Sequence, residues 1–183
     1  MILQALNDLY SRLASDPTYE IAPPGFSPQK ISFRVVIKPD GELFAIEDAR
    51  TPNDKGKLMS TVLLVLGSAK PPGKGINPCF LWDNQTYLLG RQPLDKSEGF
   101  GQIRFDAFKS RHLEVENEVC DPQFSAVCTF LRYWAPEKIE EFPHLNEVGD
   151  GFGVFQILGE RLHVHEQPRI KGWWAETTEE DPD

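Results

Sequence analysis

Thr61 to Leu66 reads Thr-Val-Leu-Leu-Val-Leu, and the stretch after it, Gly67 to Pro78, holds three prolines and three glycines. The first segment has no polar side for solvent, so it predicts a buried strand. The second has neither the backbone donors for a ladder nor the dihedral freedom for a helix. The chain must therefore build a sheet around Thr61–Leu66 and leave it through a long irregular loop. Other segments supply the rest of that sheet. Ile31 to Lys38 alternates like a strand, Pro39-Asp40-Gly41 signals a turn, and Leu43 to Asp48 can return as a hairpin partner. Phe80-Leu81-Trp82 and Thr86 to Leu89 flank Asp83-Asn84-Gln85 as a second hairpin, and Val154 to Leu158 with Leu162 to His165 flank Gly159-Glu160 as a third.

Helical periodicity occurs in three places. Ile2, Leu6, Leu9 and Leu13 share one face of a helix over 2–14. Phe105, Phe108, Val115 and Val119 do so over 102–119, and Phe124, Val127, Cys128, Leu131 and Trp134 over 122–134, with Pro122 near the start. The expected fold class is α+β: antiparallel hairpins forming a small mixed sheet, with a helical insert at about 102–142. Residues 1–174 form one domain, and the acidic segment 175–183 is expected to be a disordered tail.

Charge is divided unevenly. Residues 1–113 carry 14 Lys+Arg against 12 Asp+Glu, whereas residues 114–183 carry 5 against 16, giving a net charge of −9. That balance argues against non-specific coating of nucleic acid. It allows a local basic site: Arg50, Lys55, Lys57, Lys70 and Lys74 face a single acid, Asp54, between positions 50 and 74. No run approaches the ~20 apolar residues of a membrane span. Three cysteines, Cys79, Cys120 and Cys128, make no disulfide framework, so a cytoplasmic setting is expected. Cys120 and Cys128 read as small core hydrophobes.

Three motifs bear on chemistry. Gly67 to Gly75, Gly-Ser-Ala-Lys-Pro-Pro-Gly-Lys-Gly, approaches a phosphate-binding loop, but Gly75 replaces the magnesium-binding hydroxyl and Pro71 and Pro72 remove two amide donors. The same loop suits a duplex better. Lys70 and Lys74 can neutralise phosphates, Gly73 and Gly75 let backbone approach a groove, and Asn77 can bond base edges. A solvated surface loop is the plainer reading of its composition. His163 and His165, with Glu166 adjacent, share one side of an expected strand, yet the cysteines show no zinc spacing, so neither a metal nor a cofactor is implied. Trp173-Trp174 reads as a packing anchor. No nucleophile–base set stands out, and no catalytic role is expected.

Met1-Ile2-Leu3-Gln4-Ala5-Leu6, then Ile21 to Phe33, then Pro78 to Asn84 with Tyr87-Leu88-Leu89-Gly90, then Phe105 to Lys109, make an ordered set. That set resembles the large subunit of the type I-C CRISPR surveillance complex, Cascade, from Met1 to about Trp174. Cys79 departs from a position that is often Asn in the family, and Pro71-Pro72 is an added pair. Family members are several hundred residues long, so the resemblance covers the N-terminal domain and implies a piece of a longer protein. It further implies a prokaryotic, cytoplasmic module without catalytic activity. Such a module recognises the protospacer-adjacent motif on target double-stranded DNA and helps start the R-loop. Its partners would be the other Cascade subunits with their guide RNA, and a recruited helicase-nuclease. Under this reading Lys70, Gly73, Lys74, Gly75 and Asn77 form the reading loop, Lys55 and Lys57 add phosphate contacts, and Gln29 and Lys30 are candidates for a wedge or clamp. A protein-interaction scaffold that docks on the other subunits with little DNA contact is the alternative.

Overall fold

The structure, a computed structural model, describes residues 22–68 and 75–180. The helix expected over 2–14 lies outside them. The first strand, β1 (Phe26–Ile37), is the spine of a five-stranded sheet. Its second half pairs antiparallel with β2 (Leu43–Asp48) through the Pro39–Gly41 turn, as the hairpin reading expects. Its first half pairs antiparallel with Thr61–Leu66, which is β5. Between them β3 (Thr51–Pro52) and β4 (Leu58–Met59) form a separate small hairpin. On the other edge of β1 runs β7 (Phe152–Ile157), in parallel, and β6 (Trp82–Asn84) closes the order against β7. The sheet is mixed, within an α+β fold.

The register of β1 against β7 shifts between Ile31 and Phe33, and the shift divides the apolar side chains between two clusters. Phe33, Val35 and Ile37 enter the main core, with Phe155 and Ile157 of β7. Ile31 joins a smaller cluster with Val65, Cys79, Trp82 and Val154. Trp82 Nε1 donates to Leu66 O at 2.7 Å, tying β6 to the end of β5. β5 is less buried than its sequence implies: it is an edge strand, and Val62 is 52% exposed.

Helices cover the main core. α1 (Gln85–Leu89) follows β6 directly, then α2 (Phe100–Glu114), α3 (Glu116–Val119) and α4 (Pro122–Tyr133). Asp121 starts α4, its carboxylate accepting from Gln123 N at 2.8 Å and Phe124 N at 3.1 Å, with Pro122 in the first turn. All five residues of the α4 stripe, from Phe124 to Trp134, are buried. A 3-10 turn (Pro136–Glu141) and α5 (Leu145–Val148) lead into β7, and a second 3-10 turn (Val164–Glu166) leads into α6 (Pro168–Glu180).

Five expectations need correction. The second hairpin is a strand followed by a helix: Asn84 Oδ1 accepts from Tyr87 N at 3.2 Å and caps α1, and Gly90 closes it at φ 77. The third hairpin reduces to one bridge, Gln156 to His163, because Glu166 captures the backbone N–H of His163 and turns the chain into the 3-10 turn. The helix expected over 102–119 breaks at Val115, and Cys120 at φ 50 ends its second piece. Cys120 is exposed there, whereas Cys128 is buried, its thiol pushed up to about 12 chiefly by burial. The segment expected to be a disordered tail is helical through Glu180, with Thr177 and Thr178 bonding back to Trp173 O and Trp174 O.

Candidate nucleic-acid interface

The loop after β5 leaves and re-enters the fold through two anchored feet. At the first, Gly67 takes φ 85, its N–H donates to Gly25 O at 2.8 Å, and Ser27 Oγ donates to Gly67 O at 2.5 Å. Trp174 Nε1 donates to the same Gly25 O at 2.7 Å. Its ring edge lies 3.3 Å from where a Cβ on Gly67 would sit. A side chain at 67 would be strained by its backbone and crowded by the indole.

At the second foot, Asn77 N donates to Tyr87 Oη at 3.1 Å, Arg111 Nη1 donates to Pro78 O, and Cys79 N donates to the buried Asp83 carboxylate at 2.8 Å. Burial lowers the Arg111 pKa, with Asp83 among the groups opposing, and the guanidinium stays charged. Beyond this foot Leu81 takes φ 64, a left-handed conformation unusual for a leucine. His112 holds it there. Its Nε2 accepts from Leu81 N at 2.9 Å, so the ring proton sits on Nδ1, which donates to Phe108 O at 2.7 Å. Burial pushes the His112 pKa down to about 3, so the ring is neutral. Phe80 stacks on His112 at 4.8 Å, on Trp174 at 5.4 Å and on Phe124 at 5.5 Å. One aromatic cluster thus supports both feet, and Trp173-Trp174 is the packing anchor its sequence implies.

Lys70, Gly73 and Lys74 lie outside the described residues. Gly75, at φ 26, and Asn77 are exposed at the second foot, and a Cβ on Gly75 would meet nothing within 4 Å. Lys55 and Lys57 project from the β3–β4 hairpin. Asn53 shapes its tip: its Oδ1 accepts from Lys55 N and Lys57 N, both at 2.9 Å. Gln29 and Lys30, the candidate wedge or clamp, do not lie in a loop. They sit inside β1, opposite Leu63 and Val62, and successive strand residues point to opposite faces. Lys30 is exposed, while Gln29 is half-buried and donates to Ser27 Oγ at 3.2 Å. The structure therefore separates that pair. Arg50 is also diverted, held by Asp48 and by Glu147 O.

The β3–β4 hairpin and the anchored loop lie at opposite ends of β5, and six residues of strand span about 17–20 Å. Lys30 sits on the neighbouring strand between them. Among the described residues, none offers Lys30, Lys55 or Lys57 an ion-pair partner. Lys55 and Lys57 stand at the hairpin tip beside the exposed Asp54, and Lys30 stands on β1, each a single cation able to meet a phosphate.

Arg111, Tyr87 and Ser27 hold the feet of the loop, and sequence reasoning misses them because each acts on a residue distant in the chain. His163 and His165 are engaged in hydrogen bonds of their own. His163 Nδ1 donates to Glu166 and its Nε2 accepts from Arg34 Nε at 3.0 Å, while His165 Nε2 meets Leu64 O at 3.1 Å. Among the described residues, no group of three or more His, Cys, Asp or Glu side chains is placed to hold a metal ion, and no helix is long and apolar enough to cross a membrane.

No curated protein matches the chain. The family model described as CRISPR-associated protein (Cas_Csd1) matches residues 6–183. That match covers nearly every residue carrying the features above, so the chain belongs to the CRISPR-associated Csd1 family, that of the type I-C Cascade large subunit.

Proposed function

We propose that this chain is the duplex-recognition module of a type I-C Cascade, reading the protospacer-adjacent motif and starting the R-loop without chemistry of its own. The observation that carries the reading is the loop after β5, held at both feet with Gly75 and Asn77 exposed, and with Lys55 and Lys57 exposed on the hairpin at the other end of the same strand. The exposed lysines of this part of the chain supply the local positive charge that a phosphate backbone needs, although the chain as a whole is acidic. A loop fixed at its base loses less conformational freedom on entering a groove. The guide RNA, held with the other subunits, would then read the remaining target by base pairing, and a separate helicase-nuclease would act on the open strands.

The test uses the assembled complex and matched targets that differ only in the adjacent motif. Asn77→Ala should reduce discrimination between correct and incorrect motifs by roughly 1–3 kcal/mol, the worth of a good base-edge contact. If both affinity and motif preference survive Asn77→Ala and Lys74→Ala, the loop is not the reader.

A further inference from the structure

At the far end of β1 from Lys30 lies a groove of about 580 Å³ that the DNA reading does not use. One wall is the β1–β2 turn with Asp40, Glu42 and the 54%-exposed Phe44. The other is the end of α4 with the 3-10 turn after it, presenting Tyr133, 79% exposed, and Glu141. Trp134 and Phe142 lie in the floor, their ring centroids 6.1 Å apart.

The groove is built before anything enters it. Lys38 N donates to Glu42 O and Gly41 N to Lys38 O, both at 2.8 Å, closing the turn. Gly41 then presses against α4: a Cβ there would come within 2.5 Å of Thr129 Cβ. Trp134 Nε1 donates to Leu89 O at 2.8 Å, so its ring cannot swing out to fill the space.

Its chemistry is aromatic and acidic together. Three carboxylates line it (Asp40, Glu42 and Glu141) against one lysine, Lys138. Glu42 is partly satisfied by Lys38 at 3.4 Å. Among the described residues, no cation pairs with Asp40 or Glu141. A carboxylate rim repels phosphate, which argues against nucleic acid here. A guanidinium satisfies both features, since it stacks on a ring face and donates a planar fork to a carboxylate. We infer that this groove docks a segment of a protein partner that presents arginine beside an apolar side chain.

This inference does not rest on the DNA reading. Its test is titration of the isotopically labelled chain, followed by amide resonances, with the capped peptide Leu-Arg-Leu-Arg, its Leu-Gln-Leu-Gln counterpart, and a short DNA duplex. The arginine peptide should give saturable shifts at Phe44, Tyr133 and Phe142, at least fivefold tighter than the glutamine peptide. Affinity should fall at least fivefold in the Glu42→Gln/Glu141→Gln double variant and in Tyr133→Ala, and recover in Tyr133→Phe. These side chains are exposed, and unchanged resonances away from the groove verify that the variants fold. Equal response to both peptides would overturn the charge argument. Non-saturating shifts spread over other acidic surfaces, or the same shifts produced by the duplex, would overturn the site.

Discussion

His112 makes the fold sensitive to acid, by an amount that can be worked out. In the unfolded chain the ring titrates at its ordinary 6.5, and in the fold at about 3. The unfolded state therefore takes up the proton first. Stability is whole above about pH 6.5 and declines as pH falls toward 3. At pH 5 the loss is about 2 kcal/mol relative to pH 8. His165, pushed down to about 4 chiefly by burial, adds a loss of about the same size. Asp48 and Glu166, both lowered, have ordinary values of 3.8 and 4.5, so most of their effect comes at lower pH. Urea unfolding at pH 8 and pH 5 measures the sum. With an m-value of about 2 kcal/mol/M, the midpoint should fall by about 2 M. In His112→Gln the amide can still donate to Phe108 O and accept from Leu81 N, but it cannot titrate. That variant should lose about 1–2 kcal/mol at pH 8 with its ring contacts, and its midpoint should fall between pH 8 and pH 5 by half as much as the parent's. Equal falls in the two proteins would refute the assignment of the proton to His112.

Gly41→Ala should cost about 2–4 kcal/mol, because the added carbon meets Thr129 at a positive φ of 92; thermal melting checks it. Trp174→Phe removes the donor to Gly25 O and should destabilise by about 1–3 kcal/mol, seen as a lower urea midpoint with an unchanged slope. Lys55→Ala and Lys57→Ala should each flatten the dependence of log K on log salt for duplex binding by about 0.9 if each neutralises one phosphate. Titrations at several salt concentrations give that slope, and an unchanged slope removes the residue from the interface.

The parts of the fold legible in sequence are those set by short-range rules. Asp121-Pro122 and the apolar stripe from Phe124 to Trp134 specify α4 with its start, and the continuous run Thr61–Leu66 specifies a strand. What sequence misreads are places where a side chain takes over a backbone bond. Asn84 looks like a turn residue until its carbonyl is seen to hold Tyr87 N, and Glu166 removes His163 from a ladder in the same way. The candidate site divides similarly. Lysines and glycines in a proline-rich loop are visible as types. That Gln29 and Lys30 face apart depends on Phe26–Lys30 pairing with β5, and that Arg111 holds Pro78 depends on packing between residues more than thirty positions apart. Neither leaves a local pattern.

The parallel pairing of β1 with β7 has a kinetic consequence. Ile31 meets Phe152 across more than a hundred residues of intervening chain. β1 can join β2 through a tight turn soon after both leave the ribosome, and β5 can follow. β7 cannot arrive until the whole helical segment between has been made. Closing so long a loop is slow, and contacts of this range place a protein among the slower folders. Meanwhile the edge of β1 that will meet β7 stands open with its backbone groups unpaired, and Phe33, Val35 and Ile37 on the sheet face lack part of their cover, an invitation to pair with another chain. The nascent protein should be most prone to aggregate in that interval, and a delay in translating the helical segment should lengthen it.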